Sequence, residues 1–382
     1  MSHPIYRRVA DALRILQVSR VYWPNLGGIE KIAQGLAEHL VQRGHVCDVV
    51  TLDRSFEDGS DYPPYSAHNG VNVYRIPFRG STRYPLAPRA HRFAGRYDLV
   101  HVHAVDFLLD WMVLHKPRHQ RPVVLSTHGG FFHTAFAAKA KKLWFHTMTR
   151  NTLRGVDRVL CSSEHDLELF QTISDRCELA RNAVDLADYA PMTNSPTAGS
   201  WVTVGRVDVH KGIGNLLRVL ARIADIDDRT FTARVIGPEV VDGLVDGLVA
   251  DARRLGVTDR VAFEGRVSLD DLHHAVRTAE LGLFPSEYEA FGISVVEAMG
   301  AGVPCVLNDI GAFRHFVNEG ENGWIVDFSD AERAAATILK ARDHADRAGV
   351  GARGRDRALE YSWTSTVDRF EALYRTVLAE TR

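Results

Sequence analysis

The residues best suited to chemistry in this chain lie in and around one stretch. Residues 284–304 read F-P-S-E-Y-E-A-F-G-I-S-V-V-E-A-M-G-A-G-V-P and hold two acids eight apart, Glu289 and Glu297. The apolar run over 281–284 predicts a buried strand stopped by Pro285, and Ile293, Val296 and Met299 share one side of a helix over 292–299. Glu289 then lies in a loop at a strand's carboxyl end, and Phe291, Gly292 and Ile293 open the helix. Open α/β sheets bind ligands at that edge, and the free N–H groups of a helix start favour phosphate. Glu297 sits further along the helix and leans back toward the loop. The plainer alternative is a first-turn acid and a solvated helix acid.

Arg206 and Lys211 follow an expected strand over 201–204, with Lys211-Gly212 opening a helix. A forked guanidinium and a point-charge ammonium suit a diphosphate, although both could be surface cations. Near the start, Gly27-Gly28 stand between a strand over 13–18 and a helix carrying Ile29, Ile32, Ala33, Leu36 and Leu40. They admit a ligand close to the backbone at a helix N-terminus, or make a plain tight turn. His128 directly follows V-V-L-S-T at a strand end, as a functional side chain or a hydrogen-bonded loop histidine. His101 and His103 alternate along a strand and read as packing or sheet-edge residues. No Asp-x-Asp stands beside a suitable strand, so no metal and no other cofactor is expected.

The elements that position these residues alternate strand and helix. Further strands are expected over 46–52, 71–76, 98–102, 123–127, 158–162, 233–236, 261–263 and 305–307. That order predicts an α/β fold with parallel, doubly wound sheets. A chain of 382 residues suggests two domains, 1–190 and 191–362, parted by the Pro/Ser/Thr/Gly-rich stretch 191–200. Val367, Phe370, Leu373, Tyr374 and Val377 line one side of a last helix. Cys47, Cys161, Cys177 and Cys305 lack metal or redox spacing and fit core thiols in a reducing compartment.

Net charge is −2, but residues 1–181 hold 24 Lys+Arg against 17 Asp+Glu, and residues 182–382 hold 22 against 31. A basic half suggests an anionic partner. Between Trp111 and Val156 there is no acid, and Lys139, Lys141 and Lys142 neighbour Trp144 and Phe145. A helix of this kind can lie on an anionic membrane surface or can pack its aromatics inward. No nucleic-acid module is recognisable, no secretory signal is expected, and no apolar run is long enough to span a bilayer.

P-N-L-G-G-I-E, V-G-R-V-D-V-H-K-G, F-E-G-R-V and E-A-F-G-I-S-V-V-E-A-M-G-A-G-V-P together resemble the retaining glycosyltransferases of family four, along almost the whole chain. The resemblance implies the GT-B fold, two Rossmann-like domains facing a central cleft, with helix 363–382 crossing back onto the first. By position, Gly27 and Gly28 would face the donor diphosphate and Arg206 and Lys211 would neutralise it. His128 would contact the donor sugar, Glu289 that sugar, and Glu297 the ribose. Val267 would hold the base through its backbone, and Phe291, Gly292 and Ile293 would offer main-chain N–H. S-T-R-Y-P-L-A-P, H-V-H-A-V-D-F-L-L-D-W and S-T-H-G-G-F-F-H-T-A-F-A-A-K look like the α-mannosyltransferases of xanthan- and acetan-type exopolysaccharide assembly. Those enzymes move mannose from GDP-mannose onto glucose O3 of cellobiosyl-diphosphopolyprenol. The resemblance thus implies a nucleotide-sugar donor, a polyprenyl-diphosphate disaccharide as acceptor and a cytoplasmic enzyme peripheral on the inner face of the cell membrane. Other donors or lipid acceptors, a nucleotide-sugar epimerase and a non-catalytic binding module remain open alternatives. One departure is Ala183, where many members have glycine.

Overall fold

Short Val/Ile/Leu-rich runs separated by amphipathic segments build two sheets in a computed structural model of the chain, which describes residues 12–24, 28–56, 58–81, 84–128, 143–289 and 291–381. One compact unit takes the chain up to Ala183 together with Trp363 onward; the other is Val184–Ser362. The stretch 191–200 is held to the second unit: Ser195 and Thr197 N–H donate to the Arg277 and Thr278 carbonyls, both at 2.9 Å. The units therefore part before it, at Ala183 and Val184, rather than at residues 190 and 191.

The first unit holds β1 (Arg14–Val18), β2 (Val46–Leu52), β3 (Tyr65–His68), β4 (Val71–Ile76), a separate ribbon of β5 (Arg79–Ser81) and β6 (Tyr84–Leu86), then β7 (Leu99–His103), β8 (Val123–Ser126), β9 (Arg158–Cys161) and β10 (Cys177–Leu179). The main sheet runs β10-β9-β8-β7-β1-β2-β4-β3, parallel except for β3 against β4. β1 pairs β2 on one side and β7 on the other, so strand order reverses there. Both faces of the sheet are covered. Leu16, Val18, Val50 and Val102 pack on one, and Ile15, Val49 and Leu99 on the other.

The last helix, Trp363–Glu380, lies on the second of these faces. Val367, Phe370, Leu373, Tyr374 and Val377 are all buried there beside Ala33, Leu36, Ala37 and Leu40 of the helix Gly28–Gln42. A Cβ on Gly35 would fall 2.1 Å from the Trp363 ring, so the missing side chain is what seats the indole. His45 Nε2 bonds Glu371 at 2.8 Å and Arg43 pairs with Asp368, tying the helix down at its polar edge.

The second unit holds β11 (Ser200–Val204), β12 (Thr232–Ile236), β13 (Val261–Gly265), β14 (Leu281–Phe284), β15 (Cys305–Asn308) and β16 (Trp324–Val326). They form an all-parallel sheet in the order β13-β12-β11-β14-β15-β16. β14 and β15 are buried along their whole length, as parallel strands covered on both faces must be. Strand order reverses between β11 and β14. A ligand crevice is expected at the carboxyl ends of strands where the order reverses, and each unit has one such place.

Candidate functional site

In the second unit, glycines let the ends of β11, β12 and β14 close on one another. Gly237 has φ +148, and a Cβ on it would lie 1.9 Å from the Gly205 carbonyl oxygen. Gly212, at φ +63, would set a Cβ 2.2 Å from the Pro285 carbonyl oxygen. The turn Val209–Lys211 is thereby pressed against the loop after β14. There Lys211 Nζ donates to Glu289 Oε1 in an ion pair, and Ser286 Oγ donates to the same oxygen at 3.1 Å. The His210 carbonyl accepts from the Glu287 N–H at 2.8 Å, which fixes the loop by its backbone.

Arg206, the residue after Gly205, is exposed and has no carboxylate partner among the described residues. Gly292 has φ +99 and starts the helix Ile293–Gly300 with no side chain capping it. A Cβ there would lie 2.8 Å from the Phe313 ring, so this position needs glycine for both conformation and space. Ile293 is exposed and Val267 half-buried against the core. Glu297 is half-buried on the same helix, and its carboxyl is raised to about 7, by burial first and then by the neighbouring Asp185.

In the first unit the corresponding place is built from histidines and hydroxyls around one carboxylate, Asp166. Two strand exits turn left-handed there, Ala104 at φ +77 after β7 and His128 at φ +55 after β8. Non-glycine residues in this region carry strain, which concentrates at functional positions. His128 Nε2 meets His103 Nδ1 at 2.8 Å, and His103 Nε2 meets the Gln17 side chain at 2.9 Å. His101 Nε2 meets Ser126 Oγ at 2.7 Å, and its Nδ1 meets the Tyr374 hydroxyl at 2.8 Å. Burial lowers all three histidines, His101 to about 3, His128 to about 4 and His103 well below its usual value, so each is neutral near pH 7. Asp166 and Asn182 partly offset burial at His128. Asp166 itself accepts from Thr127 Oγ1 at 2.7 Å and Ser162 Oγ at 2.9 Å. His128 Nδ1 is buried and makes no hydrogen bond of normal length among the described residues, although the Asn182 side chain is near enough to act on the ring.

Comparison with known proteins gives the family. The chain matches Glycosyltransferase Family 4 over residues 26–188 and Glycosyl transferases group 1 over residues 197–355. It is 34% identical to a GDP-mannose:cellobiosyl-diphosphopolyprenol alpha-mannosyltransferase of Xanthomonas oryzae pv. oryzae, over 96% of this chain and 97% of that one. A protein of the same description from Komagataeibacter xylinus is 30% identical, over 97% of this chain and 95% of that one. The chain belongs to glycosyltransferase family four. Its fold is shared with a glycosyltransferase from Rickettsia africae ESF-5, at TM-score 0.72 and 17% identity over 96% of this chain and 99% of that one. Anabaena Alr3699/HepE in complex with UDP gives TM-score 0.71 and 19% identity, over 95% of this chain and 100% of that one. These are two-domain α/β proteins with parallel sheets, as found here.

Against the family's pattern, Arg206, Lys211, Glu289, Phe291, Gly292, Ile293 and Glu297 all lie in the second unit, on the loops after β11 and β14 and the helix that follows. His128 lies in the first. Gly28 begins the helix Gly28–Gln42, whereas Gly27 and the three lysines Lys139, Lys141 and Lys142 fall outside the described residues. Phe145 is a correction to the membrane reading. It is fully buried, edge-on to Phe170 at 5.2 Å, so its ring belongs to the core. Trp144 remains 45% exposed, edge-on to Tyr84 at 6.4 Å. Ala183 is not among the left-handed residues, so its backbone makes no demand for glycine. The residues missed from sequence are Gln17, His103 and Asn182. Gln17 did leave one signal, a lone amide inside the apolar strand R-I-L-Q-V.

Proposed function

We propose that this family-four glycosyltransferase transfers mannose, with retention, from GDP-mannose to the glucose O3 of cellobiosyl-diphosphopolyprenol. The observation that carries this reading is the 30–34% identity to proteins of one printed activity over nearly the full length of both chains. The second-unit cradle supports a diphosphate leaving group. Breaking the sugar–phosphate bond builds negative charge on the diphosphate, which Arg206, Lys211 and the N–H groups at Gly292 and Ile293 stabilise. Lys211 exchanges Glu289 for phosphate when the donor binds, and Glu289 is released to accept from the sugar hydroxyls. Val267 holds the base, Glu297 the ribose, Gly27 and Gly28 the diphosphate from the other unit, and His128 the sugar. The acceptor hydroxyl attacks from the face the diphosphate leaves, and the departing phosphate takes its proton.

The cations already present in the cradle make transfer independent of a metal. An acceptor with a polyprenyl tail brings the enzyme to a membrane surface through the first unit, Trp144 and the lysines Lys139, Lys141 and Lys142 providing the contact. No helix among the described residues is long and apolar enough to cross a membrane. The deciding experiment supplies a panel of sugar nucleotides with and without cellobiosyl-diphosphopolyprenol. Transfer of mannose from GDP-mannose to the lipid-linked disaccharide, undiminished in EDTA, is expected. Transfer of another sugar, or hydrolysis and epimerisation without an acceptor, would overturn the reading.

A further inference from the structure

The first unit contains a hydrogen-bonded relay whose direction can be worked out from its inner end. Gln17 is completely buried, and its side-chain amide faces two groups of the helix Gly28–Gln42 whose roles are fixed. The Ala33 carbonyl can only accept and the Ala37 N–H can only donate. Turned to suit both, Gln17 donates to Ala33 at 2.9 Å and accepts from Ala37 at 3.2 Å, and its nitrogen is also 2.9 Å from His103 Nε2. The opposite orientation would press its oxygen against the Ala33 carbonyl. Cys47 agrees: its Sγ lies 3.4 Å from the atom that then is oxygen, and burial keeps the thiol protonated and able to donate.

From there each step follows. Gln17 donates to His103 Nε2, so that nitrogen carries the lone pair. Neutral His103 then has its proton on Nδ1, which lies 2.8 Å from His128 Nε2 and donates to it. His128 Nε2 is thereby an acceptor, and the ring proton of neutral His128 stands on Nδ1. That is the buried nitrogen that makes no hydrogen bond of normal length among the described residues.

We infer that Gln17 and His103 are positioning residues that hold His128 in its Nδ1–H tautomer, aiming a neutral N–H at an oxygen of the incoming sugar. The inference rests on the proposed transferase reading for the identity of that oxygen, but the tautomer does not depend on it. A fixed neutral donor costs no reorganisation when charge develops, whereas a histidine free to choose tautomers would present the lone pair part of the time. His128 on this account serves as a hydrogen-bond donor and cannot act as the base that deprotonates the acceptor.

The test is the ¹⁵N–¹H correlation spectrum of the ligand-free protein labelled at histidine, with His128→Gln used to assign the signals. The expected pattern for His128 is a protonated Nδ1 and a bare Nε2 near pH 7; a protonated Nε2 overturns the inference. Gln17→Glu should reverse the relay, because a carboxylate makes His103 Nε2 the donor and turns His128 to Nε2–H. With GDP-mannose as substrate, kcat should then fall about tenfold or more, with little change in donor binding. Since a buried carboxylate can prevent folding, Gln17→Met provides a second route: mixed His128 tautomers and a several-fold loss of kcat are expected. A Met variant with the wild-type tautomer and wild-type kcat would also overturn the inference. If the wild-type protein transferred no mannose at all, the proposed function would fail while the spectrum still decided the tautomer.

Discussion

Lys211 and Glu289 meet in an ion pair at the ends of β11 and β14, with side chains 21% and 16% exposed. His103 and His128 meet at the ends of β7 and β8 in an uncharged pair, the first buried and the second half-buried. Both places lie beside the reversal of strand order in their own sheet, yet one works with a pair of opposite charges and the other with a pair of neutral rings. The contrast fits two tasks. A diphosphate must bind and leave, which calls for charges that exchange partners. A sugar must be oriented, which calls for groups with a single hydrogen-bonding state.

The contrast breaks most sharply at Lys211. Lys211→Ala removes a charge-assisted contact worth about 1.5–3 kcal/mol, so kcat/KM for GDP-mannose should fall roughly ten- to hundredfold while Tm holds. Steady-state kinetics beside a thermal melt check this, and normal kinetics in the folded variant would take Lys211 out of the site. Next comes Glu289→Gln, which weakens the tie on Lys211 and the contact to a sugar gaining positive charge. Its kcat should drop about tenfold, yet GDP alone should bind several-fold more tightly than to wild type by calorimetry, since the ammonium no longer has to leave a carboxylate. Weaker GDP binding would show that Glu289 does not compete for Lys211.

In the first unit, Tyr374→Phe strips the hydroxyl from His101 Nδ1 and leaves a buried nitrogen unpaired. About 1–3 kcal/mol of stability should be lost, read by urea denaturation, with kcat changed less than by either substitution above. The smallest effect is in the pH dependence. Glu297 sits at about 7 in the folded chain against 4.5 in its ordinary state, so the folded form holds the extra proton and stability falls as pH rises through 4.5–7. His128 runs the other way: lowered from 6.5 to about 4, it makes stability rise as pH rises between these two values and lose ground as pH drops through them. Glu297→Gln should therefore raise Tm more at pH 7 than at pH 5. His128→Gln should raise it more at pH 5 than at pH 7, and parallel Tm profiles for both would refute the assignment.

Much of this was legible in the sequence. The apolar run over 281–284 marks β14 residue for residue, because a strand buried on both faces has no room for polar side chains, and the alternation of V-N-V-Y-R-I marks β4, which is fully buried on one face only. Strands such as β3 and β10 were not seen; Y-S-A-H and C-E-L are short and half-exposed, and nothing in their pattern forces them. At the sites, Lys211, Glu289 and His128 could be picked out singly by their places at strand ends. Their pairings could not. Lys211 and Glu289 are 78 residues apart, and Gln17 and His103 are 86. Such partners are decided by which strands lie side by side, and spacing along the chain says nothing of that order. Phe145 shows the opposite failure, an aromatic beside lysines whose composition suited a membrane and whose ring went to the core.

The helix Trp363–Glu380 belongs to the unit that precedes Val184 but is made after residues 184–362. Until it emerges, Ala33, Leu36, Ala37 and Leu40 have only the sheet for cover, and His101 lacks its tyrosine. The middle of the chain, 184–362, is contiguous and can finish folding earlier. Synthesis therefore leaves an apolar face waiting through about half of translation, the condition under which chains aggregate or engage chaperones. It follows that a stop codon shortly before Trp363 would damage the unit that precedes Val184.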